Sequence, residues 1–261
     1  MIDCIVVGTT IVSRKRNLLE ALESIDNKAP TNLLSHRLIS IDDFGEGVTE
    51  QDKEAFKKYK FDYFVEKRRG MVVSLRQALD KVSSEWVLYC EDDLTLRWLP
   101  TMEDFTKALA VDFGDRTCGI LGLNVGGYSP QHLLEIDKVF NDRTQYTMLS
   151  NEWCAMKRHE QYRNNFFIDF PATFMRTDLL KMCIDKCVED SHGREIEHGI
   201  TQAWFDLELD KKFFKLSLLK YPWSEDETLH MNWDVYTSTL QTIIYKPKIQ
   251  ILGGHHFGES F

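Results

Sequence analysis

The run Val87-Leu88-Tyr89-Cys90-Glu91-Asp92-Asp93-Leu94 sets three consecutive carboxylates directly after a stretch of apolar residues. Adjacent like charges repel one another and resist desolvation, so a buried strand tolerates such an ending only in open water or beside a neutralising cation. Carboxylate oxygens suit hard divalent cations such as Mg2+ or Mn2+, which makes Asp93, with Glu91 and Asp92 beside it, a candidate metal site. Two other apolar runs end in polar groups: residues 5–7 lead into Gly8-Thr9-Thr10, and residues 37–41 lead into Asp42-Asp43-Phe44-Gly45. An Asp-Asp pair after a strand is by itself most simply a turn or a helix cap. The recurrence of polar endings at three strands is what points to chemistry.

Elements must place those endings together. Leu18, Ala21, Leu22 and Ile25 share one helical face, and the spacing predicts further helices over 54–59, through Val72, Leu75, Leu79 and Val82, and around Phe105, Ala108 and Leu109. Between them fall short apolar runs at 5–7, 37–41, 61–65, 86–90 and 118–125. Strands alternating with helices predict an α/β fold: a mixed sheet with a parallel N-terminal half and helices on both faces. In such a sheet ligands bind beyond the carboxyl ends of the strands, where strand order reverses. The three polar endings would share that crevice, and their carboxylates and hydroxyls suit a nucleotide, on its ribose and base or through a metal on its phosphates.

The later half is less regular. Residues 131–165 show no clear period, 166–175 read as extended, Leu179, Leu180, Cys183, Ile184 and Cys187 fit a helix, and Ile200, Ala203, Trp204 and Leu207 fit another. Strands are expected near 216–219 and 249–252. The reading is one compact domain with a nucleotide-binding half over 1–125 and an acceptor-binding half over 126–261. Trp153, Trp223 and Trp233 lie in polar aromatic stretches that suit sugar faces, although ordinary packing under a loop is the simpler account of each.

The sequence resembles a known family. The runs "CIVVGTTIVSRKRNLLEALESI", "RLISIDDFGEG" and "RRGMVVSLRQALDKVSSEWVLYCEDDL" are similar to the nucleotide-sugar half of inverting family 2 and related glycosyltransferases of the GT-A (Rossmann-like) fold. The resemblance implies that Thr9 and Thr10 contact the base, that Asp42 or Asp43 contacts uracil or ribose, and that Glu91 and Asp93 stand at the two ends of the D-x-D metal motif. Glu91 departs from the usual Asp. Fainter similarity at "DFPATFMRTDLLKM" and "REIEHGITQAWFDLELDKKFFKLSLLKYP" places Glu197 and His198 where the family carries its catalytic pair, and "ILGGHHFGESF" offers His255 or His256 as a late metal ligand. Arg14 and Arg69, with Arg16 and Arg68 nearby, are candidates to grip a diphosphate through their guanidinium forks. The implied activity is metal-dependent transfer from a nucleoside-diphosphate sugar, a UDP-sugar, to a hydroxyl of a glycan or glycoprotein acceptor, with inversion. A nucleotidyltransferase that makes sugar nucleotides, or a noncatalytic nucleotide- or glycan-binding module, is the alternative.

Composition bounds these readings. The 261 residues, 43% hydrophobic, suffice for a large core, and a net charge of −9 opposes a surface dedicated to nucleic acid or anionic membrane. No signal peptide is visible and no window reaches roughly 18 uncharged apolar residues. With six scattered cysteines, a soluble, reduced, cytoplasmic protein is expected.

Overall fold

The computed structural model describes residues 1–67, 70–92, 94–96, 99–123, 146–149, 153–156, 172–189, 196–218 and 243–245. Strand β1 (Ile2–Thr9) is buried along its whole length, as a strand covered on both faces must be. It pairs in parallel with β2 (Leu34–Asp43) on one side and β4 (Trp86–Glu91) on the other, while β3 (Asp62–Lys67) pairs in parallel with β2. Beyond β4 the sheet becomes mixed. Strand β9 (Thr173–Arg176) runs antiparallel to both β4 and β6 (Thr117–Gly122), and β10 (Phe213–Leu218) is parallel to β6. Strands β8 (Trp153–Met156) and β7 (Tyr146–Met148) complete an order of β3-β2-β1-β4-β9-β6-β10-β8-β7 among the described residues. A separate two-stranded ribbon joins β5 (Leu94–Leu96) to β11 (Ile243–Tyr245).

Helices cover the two faces, and the apolar spacing of each decides which side it turns inward. Leu18, Leu22 and Ile25 of α1 (Val12–Lys28), Phe56 of α2 (Glu50–Lys58) and Phe105 and Ala108 of α4 (Met102–Leu109) pack with Val6, Ile39 and Leu88 on one face. On the other face α3 (Met71–Leu79), α5 (Thr177–Glu189) and α6 (Ile196–Asp206) cover Ile5, Val7, Val87 and Tyr89. Local chemistry fixes two of the helix starts. Thr49 with Asp52, and Thr101 with Asp104, each form a reciprocal capping box that satisfies end-of-helix N–H groups. Gly70 precedes α3 at φ 85°, a conformation that favours glycine.

Most expected elements are present with shifted bounds: β1, β2 and α2 run longer than read, whereas β6 ends at Gly122 and α3 at Leu79, and of the run read as extended over 166–175 the described part, from 172, carries β9. The strand read at 5–7 runs from Ile2 through an internal aspartate, Asp3, whose charge would argue against a strand. The segment read without period contains β7 and β8, three and four residues long, too short for alternation to register. Leu109, expected on the apolar face of α4, is 38% exposed because it falls at the last turn, past Phe105 and Ala108. The strand expected at 249–252 lies outside the described residues. No helix among the described residues is long and apolar enough to cross a membrane.

Asp3 explains how a carboxylate can sit inside the sheet. Its Oδ1 accepts from Ser35 Oγ at 2.6 Å and His36 N at 3.2 Å, and its Oδ2 accepts from Ser83 N at 3.0 Å and Ser84 N at 3.1 Å. Burial alone would raise its pKa, but the bonds from Ser35, Ser83 and Ser84 outweigh burial and hold the carboxyl below its ordinary value of 3.8. The anion ties the starts of β1 and β2 and the turn before β4 together. Its contribution is complete above pH 3.8 and is lost as pH falls through the lower folded value. Asp3→Asn is therefore expected to cost about 2 kcal/mol at neutral pH in urea unfolding, with the gap from wild type closing only below pH 3.8.

Candidate active site at the carboxyl ends of β1, β2 and β4

Strand order reverses between β1 and β4, since β1 leads outward through β2 to β3 on one side and meets β4 on the other. The crevice beyond their carboxyl ends is where an open α/β sheet places a ligand. Thr9 lies opposite Asp42, and Glu91 opposite Val7, so the register brings the three polar endings side by side.

Strand alternation separates the carboxylates. A methyl added to Gly8 would stand 3.2 Å from Asp92 Cβ, 3.3 Å from Asp92 Oδ2 and 3.4 Å from Leu18 Cδ1, so Gly8 and Asp92 turn toward α1. There Arg14 Nη2 donates to Asp92 Oδ1 at 2.6 Å and Thr9 N to Asp92 Oδ2 at 3.1 Å, with Arg14 7% and Asp92 1% exposed. Glu91, one residue back, falls on the opposite face, where Tyr89 OH donates to its Oε1 at 3.3 Å. The middle acid is thus neutralised by the chain's own guanidinium.

The loop after β2 is organised around Asp43. Its Oδ1 accepts from Thr10 Oγ1 at 2.7 Å, Gly45 N at 2.9 Å and Gly47 N at 3.0 Å, while Phe44 N donates to Thr10 Oγ1 at 2.8 Å. Thr10 and then the two glycine amides hold the Asp43 carboxyl below its ordinary value, so it is ionised at neutral pH. Gly45 at φ 106° and Gly47 at φ 68° supply the left-handed turns. Lys15 Nζ, from the first turn of α1, closes the loop on Gly47 O at 3.0 Å and Asp52 Oδ2 at 3.3 Å. Asp42 is buried at the end of β2, and Thr9 Oγ1, also buried, has no hydrogen-bond partner among the described residues. Ser40, Ser74 and Thr173 carry buried hydroxyls in the same state, so the feature is not confined to this end of the sheet.

The structure therefore brings Thr9, Thr10, Arg14, Asp42, Asp43, Glu91 and Asp92 to one end of the sheet. Arg14 faces Asp92 there, whereas Arg16 is exposed and pairs with Glu20. Glu197 and His198 fall in the first turn of α6. Arg68, Arg69, Asp93, Trp223, Trp233, His255 and His256 lie outside the described residues. Among the described residues no group of three His, Cys, Asp or Glu side chains is placed to hold a metal ion. Both oxygens of Asp92 are already engaged by protein donors, so ligation at this strand end would fall to its neighbours. The sequence reading did not assign roles to Gly8, Lys15 or Tyr89; only Gly8, immediately before the threonine pair, carried a recognisable signal. Cys4, Cys90, Cys118, Cys183 and Cys187 are buried. Burial pushes Cys118 up to about 12, which keeps it protonated and unreactive.

This sheet order with its crevice at the β1–β4 switch is the GT-A fold. No family profile and no curated protein matches the sequence. Solved structures of GT-A-type glycosyltransferases match it in fold. TarS of S. aureus aligns with a TM-score of 0.51 at 17% identity over 83% of this chain and 35% of TarS, and its 1–349 fragment at 0.50 and 16% over 82% and 58%. A mannosyltransferase of Pyrobaculum calidifontis, PcManGT, described with GDP-Man and Mn2+, aligns at 0.44 and 16% over 77% and 49%. The chain spans about a third of TarS and just over half of the fragment. At these identities the likeness concerns the fold.

Removing one partner of a buried ion pair strands the other charge, at a cost of about 3–5 kcal/mol. Arg14→Met is expected to lose about that much in urea unfolding at pH 7. Gly8→Ala, which pushes Asp92 away from β1, should lose about 1–3 kcal/mol. Near-wild-type unfolding of Arg14→Met would show that the pair does not hold this end of the sheet.

Proposed function

We propose that the chain is a glycosyltransferase that moves a sugar from a UDP-linked donor to a hydroxyl of a glycan or glycoprotein acceptor, with inversion. The observation that carries this reading is the convergence of Thr9, Thr10, Asp42 and Asp43 with Glu91 at the switch point of a GT-A sheet. Thr9 Oγ1 and Asp42 would meet the base and ribose. Asp43, whose Oδ1 already receives three donors, shapes the loop that presents them. Arg69 would take the diphosphate. A divalent ion, Mn2+ or Mg2+, would be held by Asp93 with Glu91 and His255 or His256, and when bound it supplies Lewis-acid stabilisation of the diphosphate.

The chemistry asked of the chain itself is proton removal. As the acceptor oxygen bonds to the anomeric carbon, the bond to the diphosphate breaks and UDP leaves with the electron pair. The hydroxyl proton passes to the Glu197 carboxylate, with His198 as the neighbouring competitor for that role. Glu197 stands in the first turn of α6, where the helix dipole favours its ionised form.

Titration calorimetry with UDP tests the donor site. Asp42→Asn should weaken binding about tenfold or more, the worth of one hydrogen bond to a charged group. Binding should also depend on Mn2+, and equal affinity in EDTA would remove the metal from the scheme. Glu197→Gln is expected to lose about 100-fold or more in transfer rate while still binding UDP. Near-normal transfer by that variant would move the base to another residue.

A further inference from the structure

At the other end of the sheet, an open groove of about 800 Å3 runs along the edge strand β3. Lys53, Lys57, Lys60 and Lys81 line it together with His36, in a chain whose net charge is −9. Lys53 pairs with Glu50, Lys60 stands 3.7 Å from Asp26, and His36 meets Asp62. Lys57 has no carboxylate partner among the described residues, and Lys81 lies over the Phe64 ring at 5.1 Å from its centroid. Basic residues in the last turn of α2 complement the helix dipole, which accounts for Lys57 in part. That does not account for Lys81, which follows α3 on the opposite face of the sheet.

The groove is lined by the consecutive residues Phe61 to Phe64. Asp62 pairs with Leu38 and Tyr63 with Ile39, residues that belong to the cores on opposite faces, so the groove takes in both faces of the edge. Among the described residues β3 pairs only with β2, which leaves its outer edge without a strand partner. Along it Tyr63 and Val65 are each 37% exposed. Apolar side chains on an open strand edge, rimmed by ammonium groups, have the anatomy of a strand-addition surface. A second copy of the chain would bring the same lysines against one another, so charge selects against self-pairing here.

We propose that the edge of β3 is a docking surface for an acidic, extended polypeptide segment, which adds a strand to the sheet and sets its carboxylates against Lys57 and Lys81. The full-length chain is titrated with a blocked peptide as long as β3 in which pairs of adjacent glutamates alternate with pairs of valines, so that carboxylates face both sides of the sheet, and with the matching lysine and valine peptide. The acidic peptide is expected to bind, to slow amide exchange over Asp62–Lys67, and to weaken about tenfold or more as salt shortens the Debye length from about 30 Å to about 3 Å. Joint replacement Lys57→Glu and Lys81→Glu should cost about tenfold or more in peptide affinity and leave UDP binding unchanged. Equal binding of the basic peptide, unchanged affinity in the double variant, or peptide binding without protection of the β3 amides would each overturn the proposal. Competition by inorganic tripolyphosphate at equal affinity would also overturn it, assigning the lysines to a phosphate site instead.

Discussion

The buried pair of Arg14 and Asp92 is the interaction on which the functional end of this sheet depends. A parallel sheet must end its strands somewhere, and here the central strand β4 ends in acids that water alone would have to solvate. Arg14 removes that requirement for Asp92, and in doing so fastens the first turn of α1 to β4 across the end of β1. Gly8 leaves room for it, since a Cβ there would stand 3.2 Å from Asp92 Cβ and the carboxylate would have to shift. With Asp92 internally neutralised, Glu91 and the Asp43 loop can stand near one another with less mutual repulsion than three unscreened carboxylates would impose.

The N-terminal half was legible because its signals are long and consistent. Leu18, Leu22 and Ile25 repeat over about two turns of α1, and the buried run of β1 has the pattern of a central strand. The bounds were less legible where polar residues sit inside elements. Asp3 looks like a breaker until its partners Ser35, Ser83 and Ser84, two of them some eighty residues away, are brought beside it. Strands β7 and β8 were invisible for a different reason. Three or four residues cannot display a period, and these strands are defined by their partners: β10 offers an edge to β8, and β8 offers one to β7.

At the site, residue types were legible and their pairings were not. Threonines, paired aspartates and an acidic strand end could be read as neighbours from the strand–helix alternation alone. That Arg14 would meet Asp92 could not, because 78 positions separate them and nothing local singles out Arg14 from Arg16. The same holds for the two aspartates that end β2. The sequence presents Asp42 and Asp43 as equivalent, whereas the loop spends Asp43 Oδ1 on Thr10, Gly45 and Gly47.

The two ends of the sheet use the same residue type to opposite ends. At the amino end of β1, Asp3 receives four donors, so its charge is satisfied by the chain. At the carboxyl end, the donors are spread over several acids, and Thr9 Oγ1 is buried without a partner among the described residues. Leaving a polar atom in that state destabilises the folded chain by about 1–3 kcal/mol, a cost that Ser40, Ser74 and Thr173 also carry. Under the proposed function, Arg14–Asp92 and the Asp43 loop would be the rigid supports on which the polar groups of the crevice meet the donor.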